Sequence, residues 1–280
     1  MIFRYPGGKS KKSIREQIMT KFPKEYGEFR DSMVGGGGIF FNIPKDKKRW
    51  INDLDENLMS VYFALKDTPN KFIENCRSIE GPKKTDNLTS SKPNGKAKYN
   101  ARLKFEFDRL SKNRAEDPAL SYLFVNRTVW GGRVNYEIES RMYFSNPQGW
   151  NVVHTNKIEK AANIIKNAKI TCGDYSKVLS EDGQDVLVYI DPPYCINTKL
   201  DKNSKLYKYN FEEKDHYELN DNIKNCKHKI VLSYDDSTFI RKLYKDFNIF
   251  KLNWTYCGTS SAKTHSKTKK IGKELIITNF

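Results

Sequence analysis

A chain of 280 residues is long enough for one large α/β domain with an insertion and for a sizeable core. Lys plus Arg number 50 against 34 Asp plus Glu, and the net charge of +16 points to a polyanionic partner, a plain basic surface being the alternative. No apolar run reaches membrane-spanning length, the opening residues hold no signal-peptide core, and the five cysteines form no C-x-x-C pair, so reduced thiols, a cytoplasmic location and no metal site are expected.

Residues 3–9, Phe-Arg-Tyr-Pro-Gly-Gly-Lys, form a Gly/Pro turn in which Tyr5 and Lys9, taken alone, read as ordinary turn and surface residues. Ser13 and Glu16 suggest a capping box ahead of a helix striped by Ile14, Ile18, Met19 and Phe22. Phe29–Val34 then reads as a strand, Gly35 to Gly38 as a loop for close backbone approach, and Ile39 onward as a helix start. The glycine spacing is that of neither a dinucleotide loop nor a Walker loop. Trp50–Asp53 reads as a second strand ending in a carboxylate, the position that bonds a ribose hydroxyl in nucleoside-binding α/β folds. Leu58, Val61, Tyr62 and Leu65 carry helical spacing.

The alternation lapses from about residue 67. Residues 81–100 are polar and read as a loop; Tyr99 to Leu110 and Ala119 to Phe124 read as helices. Asn126 to Asn135 combines cations, Trp130 and a Gly-Gly turn, a mix that suits phosphate and base contacts; a hairpin with a buried tryptophan is the plainer reading. The rhythm returns with a helix at Ile158–Ile165 and a strand at Ile170–Cys172. Val186–Ile190 is an apolar run rich in β-branched residues, expected to be buried on both faces and halted by Asp191, Pro192, Pro193 and Tyr194. A carboxylate and a proline carbonyl are a pure acceptor pair suited to an exocyclic amine, and Tyr194 offers a stacking face; a capped strand end is the alternative. Residues 196–210 read as a loop able to close over a substrate, Leu219 and Ile223 as a helix and Ile230–Tyr234 as another buried strand. A lysine-rich loop with Lys267, Lys269 and Lys270 precedes a final strand from Glu274. The expected fold is a Rossmann-like, doubly wound, mostly parallel sheet. Residues 1–66 and 156–280 form its core, and 67–155 an inserted, mainly helical segment.

With those residues in hand, the chain resembles the Dam-like DNA adenine-N6 methyltransferase family along nearly its whole length. The turn ending at Lys9, Asp31 to Gly38, Asn52-Asp53 with Asn57 and Tyr62, Gly173-Asp174-Tyr175, Asp191-Pro-Pro-Tyr194 and Gly258 to Glu274 occur in that family's order. The resemblance implies that S-adenosylmethionine is the cofactor, contacted by Tyr5, Lys9, Asp31, Gly35, Gly36, Gly37, Asp53, Asp174 and Asp191. It implies that Asp191, Pro192 and Tyr194 handle an adenine drawn out of the duplex, and that the insert reads the target. Trp130, Arg133 and Asn135 of the insert, with Lys267, Lys269 and Lys270, are the expected contacts to double-stranded DNA, and a cognate restriction endonuclease is a candidate partner. The insert departs from the family: Arg133-Val-Asn135 is kept, but Trp130-Gly-Gly132 is compact and the usual Pro-Phe-Gly ending is missing. Cytosine-N4 or RNA amine methylation, and a DNA-binding protein without activity, are the rival functions.

Overall fold

The structure is a computed structural model that describes residues 1–5, 9, 11–80, 93–134, 136, 142–194, 209–255 and 271–280; for 93–100, 253–255 and 271–273 it describes the backbone alone. Among the described residues seven strands form one sheet: β1 Glu28–Asp31, β2 Lys48–Asp53, β3 Lys169–Cys172, β4 Val186–Ile190, β5 Lys229–Asp235, β6 Asn248–Thr255 and β7 Ile271–Thr278. Their order is β3-β2-β1-β4-β5-β7-β6, parallel except that β7 runs antiparallel to both of its neighbours. All five residues of β4 are buried, as the unbroken apolar run requires in the centre of a covered sheet. The order reverses between β1 and β4, and a doubly wound sheet opens its ligand crevice at such a switch point, beyond the carboxyl ends of the strands.

The helices are α1 Lys12–Met19, α2 Glu56–Asp67, α3 Pro69–Ser78, α4 Pro93–Lys112, α5 Pro118–Thr128, α6 Lys157–Ile165, α7 Ser176–Ser180, α8 Glu213–Asn225 and α9 Thr238–Leu243. Asp55 caps α2 by accepting from the backbone N–H groups of Asn57 and Leu58, and Asp117 caps α5 through Leu120. Leu58, Val61, Tyr62 and Leu65 of α2 are all buried. They share one core with Leu103 and Phe107 of α4, Leu123 and Phe124 of α5, and Phe29 of β1. Among the described residues no helix is long and apolar enough to cross a membrane.

Three local expectations fail. Ser13 does not cap α1: Lys11 is the N-cap, its carbonyl accepting from Ile14 and Arg15, so Ser13 is already inside the first turn. After the glycine loop there is only a 3-10 turn, Phe40–Asn42, because Pro44 follows too soon for a longer helix. The polar stretch expected to be a loop to residue 100 becomes helical at Pro93, a residue whose fixed φ suits a helix start. Residues 81–92, most of the 196–210 loop and most of the late lysine-rich loop lie outside the described residues.

Candidate active site

Three carboxylates meet at the switch point. Asp31 is the last residue of β1, Asp53 the last of β2, and Asp191 follows the last residue of β4. Burial, the Asp191 charge and the Asp53 charge together push the Asp31 carboxyl well above its ordinary range. Its Oδ1 is buried and has no hydrogen-bond partner, an expensive state unless a ligand supplies a donor. Asp53 accepts from the backbone N–H of Gly35 at 2.8 Å and of Asp55 at 3.0 Å, tying the glycine loop to β2. Burial raises its carboxyl to about 6, although those backbone donors pull it down.

The glycine loop is shaped around Tyr5. A Cβ on Gly35 would lie 2.8 Å from the Tyr5 ring, and one on Gly36 2.9 Å from the Tyr5 Cβ. Gly37 turns with φ +71, and a Cβ there would meet both Phe41 and the Tyr62 hydroxyl. Tyr62 itself donates to the Gly35 carbonyl at 2.9 Å. Tyr5, Gly35, Gly36, Gly37 and Asp53 are thus brought together. Asp174 is exposed at the end of β3, where it accepts from the Ser176 backbone N–H.

Beyond β4, all of the described hydrogen bonds to Asp191 converge on one oxygen. Oδ1 accepts from Lys9 Nζ at 2.9 Å, from Ser233 Oγ at 2.7 Å and, weakly, from the Tyr194 hydroxyl at 3.4 Å. Among the described residues none donates to Oδ2. Lys9 is only 5% exposed; it also donates to the Tyr194 hydroxyl at 2.6 Å and pairs with Glu274 Oε1 at 3.5 Å. Burial works against the Lys9 charge, but Asp191 and Glu274 outweigh it and raise the ammonium's pKa above its ordinary value. Pro192 is buried, and Tyr194 is half-buried with its ring 5.9 Å from that of Tyr234.

Ser233 and Glu274 are absent from the sequence-based site. The sequence signals are a hydroxyl directly after the apolar run Ile230–Leu232 and an acid directly before Leu275–Ile277. Ser233 has one proton, and giving it to Asp191 leaves its oxygen to accept from the Tyr189 hydroxyl 3.0 Å away. Ser233→Ala is therefore expected to loosen Asp191 and to cost roughly 1–3 kcal/mol, since the buried Tyr189 hydroxyl loses its partner, a loss that thermal melting checks.

On the insert, Trp130 is 58% exposed, which rules out the buried-tryptophan hairpin, and the Arg133 guanidinium stacks on its ring at 4.9 Å. Val129, the residue before Trp130, forms an isolated antiparallel bridge with Phe144. Asn135, Lys267, Lys269 and Lys270 lie outside the described residues. Asn126 joins this turn to the N-terminal segment: it accepts from the Arg4 N–H at 2.9 Å and donates to the carbonyls of Arg4 and Gly132.

Switch-point carboxylates, a glycine loop and a proline-stiffened strand end are the marks of a Rossmann-like α/β protein. Residues 5–257 match the model of the D12 class N6 adenine-specific DNA methyltransferases, and the chain belongs to that family. It is accordingly an enzyme, an adenine-specific DNA methyltransferase. It is 28% identical to the type II methyltransferase M1.LlaDCHI of Lactococcus lactis subsp. cremoris, over 99% of this chain and 94% of that protein. It is 27% identical to the type II methyltransferase M.MjaIII of Methanocaldococcus jannaschii, over 89% of each. A DNA adenine methylase of Vibrio cholerae is 24% identical, over 90% of this chain and 88% of its own length.

Proposed function

We propose that the chain takes its methyl group from S-adenosylmethionine and that Asp191, Pro192 and Tyr194 receive the target adenine. The observation that carries this reading is the division of labour on Asp191: Oδ1 is held by Lys9 and Ser233, and Oδ2 is left for the amine.

The residues fit the cofactor. It brings an ammonium, a sulfonium and a ribose diol into a crevice whose Asp31 Oδ1 lacks a donor. Asp31 would hold the ammonium, Asp53 the ribose, and the Tyr5-backed loop of Gly35, Gly36 and Gly37 would allow close backbone approach. Lys9 acts from behind, through Asp191, and Asp174 lies at the adenine side. When bound, the cofactor supplies an electrophilic methyl group. Asp191 Oδ2 and the Pro192 carbonyl accept the two N–H bonds of the adenine amine and so aim its lone pair, while Tyr194 stacks on the base. Most of the acceleration is positioning. The proton shed by the methylated amine passes first to Asp191.

In this reading residues 67–155 recognise the target. Trp130 fills the gap left by the flipped adenine, Arg133 and Asn135 read base edges, and Lys267, Lys269 and Lys270 grip phosphates. The exposed, stacked pair Trp130–Arg133 supports it. A cognate endonuclease fits the type II names of two relatives.

Calorimetry tests the cofactor assignment. Asp53→Ala is expected to weaken S-adenosylmethionine binding by about 1.5–3 kcal/mol, the worth of a hydrogen bond to a charged group. Because burial holds the Asp53 carboxyl at about 6, the acceptor is charged above that pH and protonated below it. Wild-type affinity should therefore fall as pH drops through 6, and Asp53→Ala should lose that dependence. No binding by the wild type, with or without DNA, contradicts the assignment.

A further inference from the structure

Glu274 takes no part in the chemistry above, yet it is built into the same cluster. Because β7 runs antiparallel to β5, its beginning lies at the carboxyl ends of the parallel strands, with Glu274 opposite Asp235. Glu274 is 5% exposed; Oε1 pairs with Lys9, and Oε2 is buried without a partner. One cation, Lys9, thus serves two carboxylates, one just past β4 and one on β7.

We propose that Glu274 is a positioning residue for methyl transfer: by sharing Lys9, its carboxylate leaves Asp191 with negative charge facing the target amine. The proposal rests on the reading of Asp191 as the amine acceptor. With both acids ionised, the Lys9–Asp191–Glu274 group carries one net negative charge; with Glu274 protonated it carries none. As the amine attacks, positive charge moves onto its nitrogen, and an uncompensated Asp191 charge beside it stabilises that change. A Lys9 devoted wholly to Asp191 would cancel the effect.

The charged and titratable groups facing Glu274 are Lys9 from the N-terminal segment, Asp191 and Tyr194 after β4, and Asp235 at the end of β5; its partner on β6 is Leu252. Burial pushes the Glu274 carboxyl up to about 7; Lys9 opposes this, Asp191 adds to it, and the hydrogen bonds from Tyr194 and Lys9 oppose it. Below that pH Glu274 is protonated and transfer slows; above it Glu274 is charged and transfer quickens.

The test compares wild type, Glu274→Gln and Glu274→Asp. In the ligand-free protein, carbon-13 NMR of labelled glutamate carboxyls should contain one resonance that titrates near pH 7 and is lost in Glu274→Gln. In single turnovers at saturating DNA and S-adenosylmethionine, the wild-type rate should rise on the order of tenfold through that pH. Glu274→Gln should stay flat at the low-pH rate, and Glu274→Asp should keep an inflection. If Glu274→Gln does not fold, the wild-type titration and the Asp variant decide. No glutamate titrating near 7, or an inflection unchanged in Glu274→Gln, overturns the proposal. An Asp191→Asn variant that stays active overturns instead the reading beneath it; an inactive one leaves that reading standing whatever Glu274 does.

Discussion

Replacing Gly132 by alanine is expected to lower the melting temperature by about 5 °C or more and to weaken cofactor binding, although Gly132 belongs to the insert. Its φ of +72 is left-handed, which costs a residue with a Cβ on the order of 1 kcal/mol. The added Cβ would also lie 2.2 Å from the Arg4 carbonyl oxygen and 2.6 Å from the Arg4 Cβ. Backbone cannot swing aside as a side-chain tip can, and overpacking of this kind costs about 1–3 kcal/mol. Each kcal/mol moves the melting point of a domain this large by roughly 2–4 °C. The functional effect follows from the chain: Asn126 grips both Arg4 and Gly132, and the next residue, Tyr5, backs the glycine loop. Displacing Arg4 therefore displaces Tyr5. Gly131→Ala is the control, since its φ is also positive but its Cβ would meet only the Arg133 side chain, at 3.7 Å. Equal melting points and cofactor affinities in the two variants would mean that the N-terminal segment is not fastened through Gly132.

The parts of the fold that could be read from the sequence are those where burial dictates residue type. The run Val186–Ile190 is apolar because β4 is covered on both faces, and the two prolines after it end the strand in any context. Leu58, Val61, Tyr62 and Leu65 repeat with helical period because one face of α2 is wholly buried. β6 gives no such signal: its Phe250 is exposed and Leu252 buried, the weak alternation of an edge strand. The helical start of α4 is hidden by residues 93–98, Pro-Asn-Gly-Lys-Ala-Lys, whose composition reads as loop. At the site, Asp31, Asp53 and Asp191 were legible because each carboxylate ends a recognisable strand. Ser233 and Glu274 were not, because their contacts depend on strand order. Only the β4–β5 pairing brings Ser233 to Asp191, and only a reversed β7 brings Glu274 to Lys9.

Asp191→Asn is expected to reduce methyl transfer by about 10²–10³-fold, the usual scale for losing one preorganised polar contact at a reacting centre. The geometry decides how the amide would sit. Lys9 and Ser233 both donate to the Oδ1 position, so the amide oxygen turns to them and its NH2 occupies the place of Oδ2. A donor then faces the N–H groups of the adenine amine, and the acceptor pair with the Pro192 carbonyl is spoiled. The fold should tolerate the change, because Asp191 lies past the end of β4 with its side chain 26% exposed, and Lys9 keeps Glu274 and Tyr194. Single-turnover methyl transfer by wild type and Asp191→Asn, at saturating S-adenosylmethionine and DNA and with melting points matched within a few degrees, is the most direct measurement. A loss of two orders of magnitude or more with DNA binding retained is the result predicted. A rate within a few-fold of wild type would contradict the assignment of Asp191 as the acceptor that aims the amine.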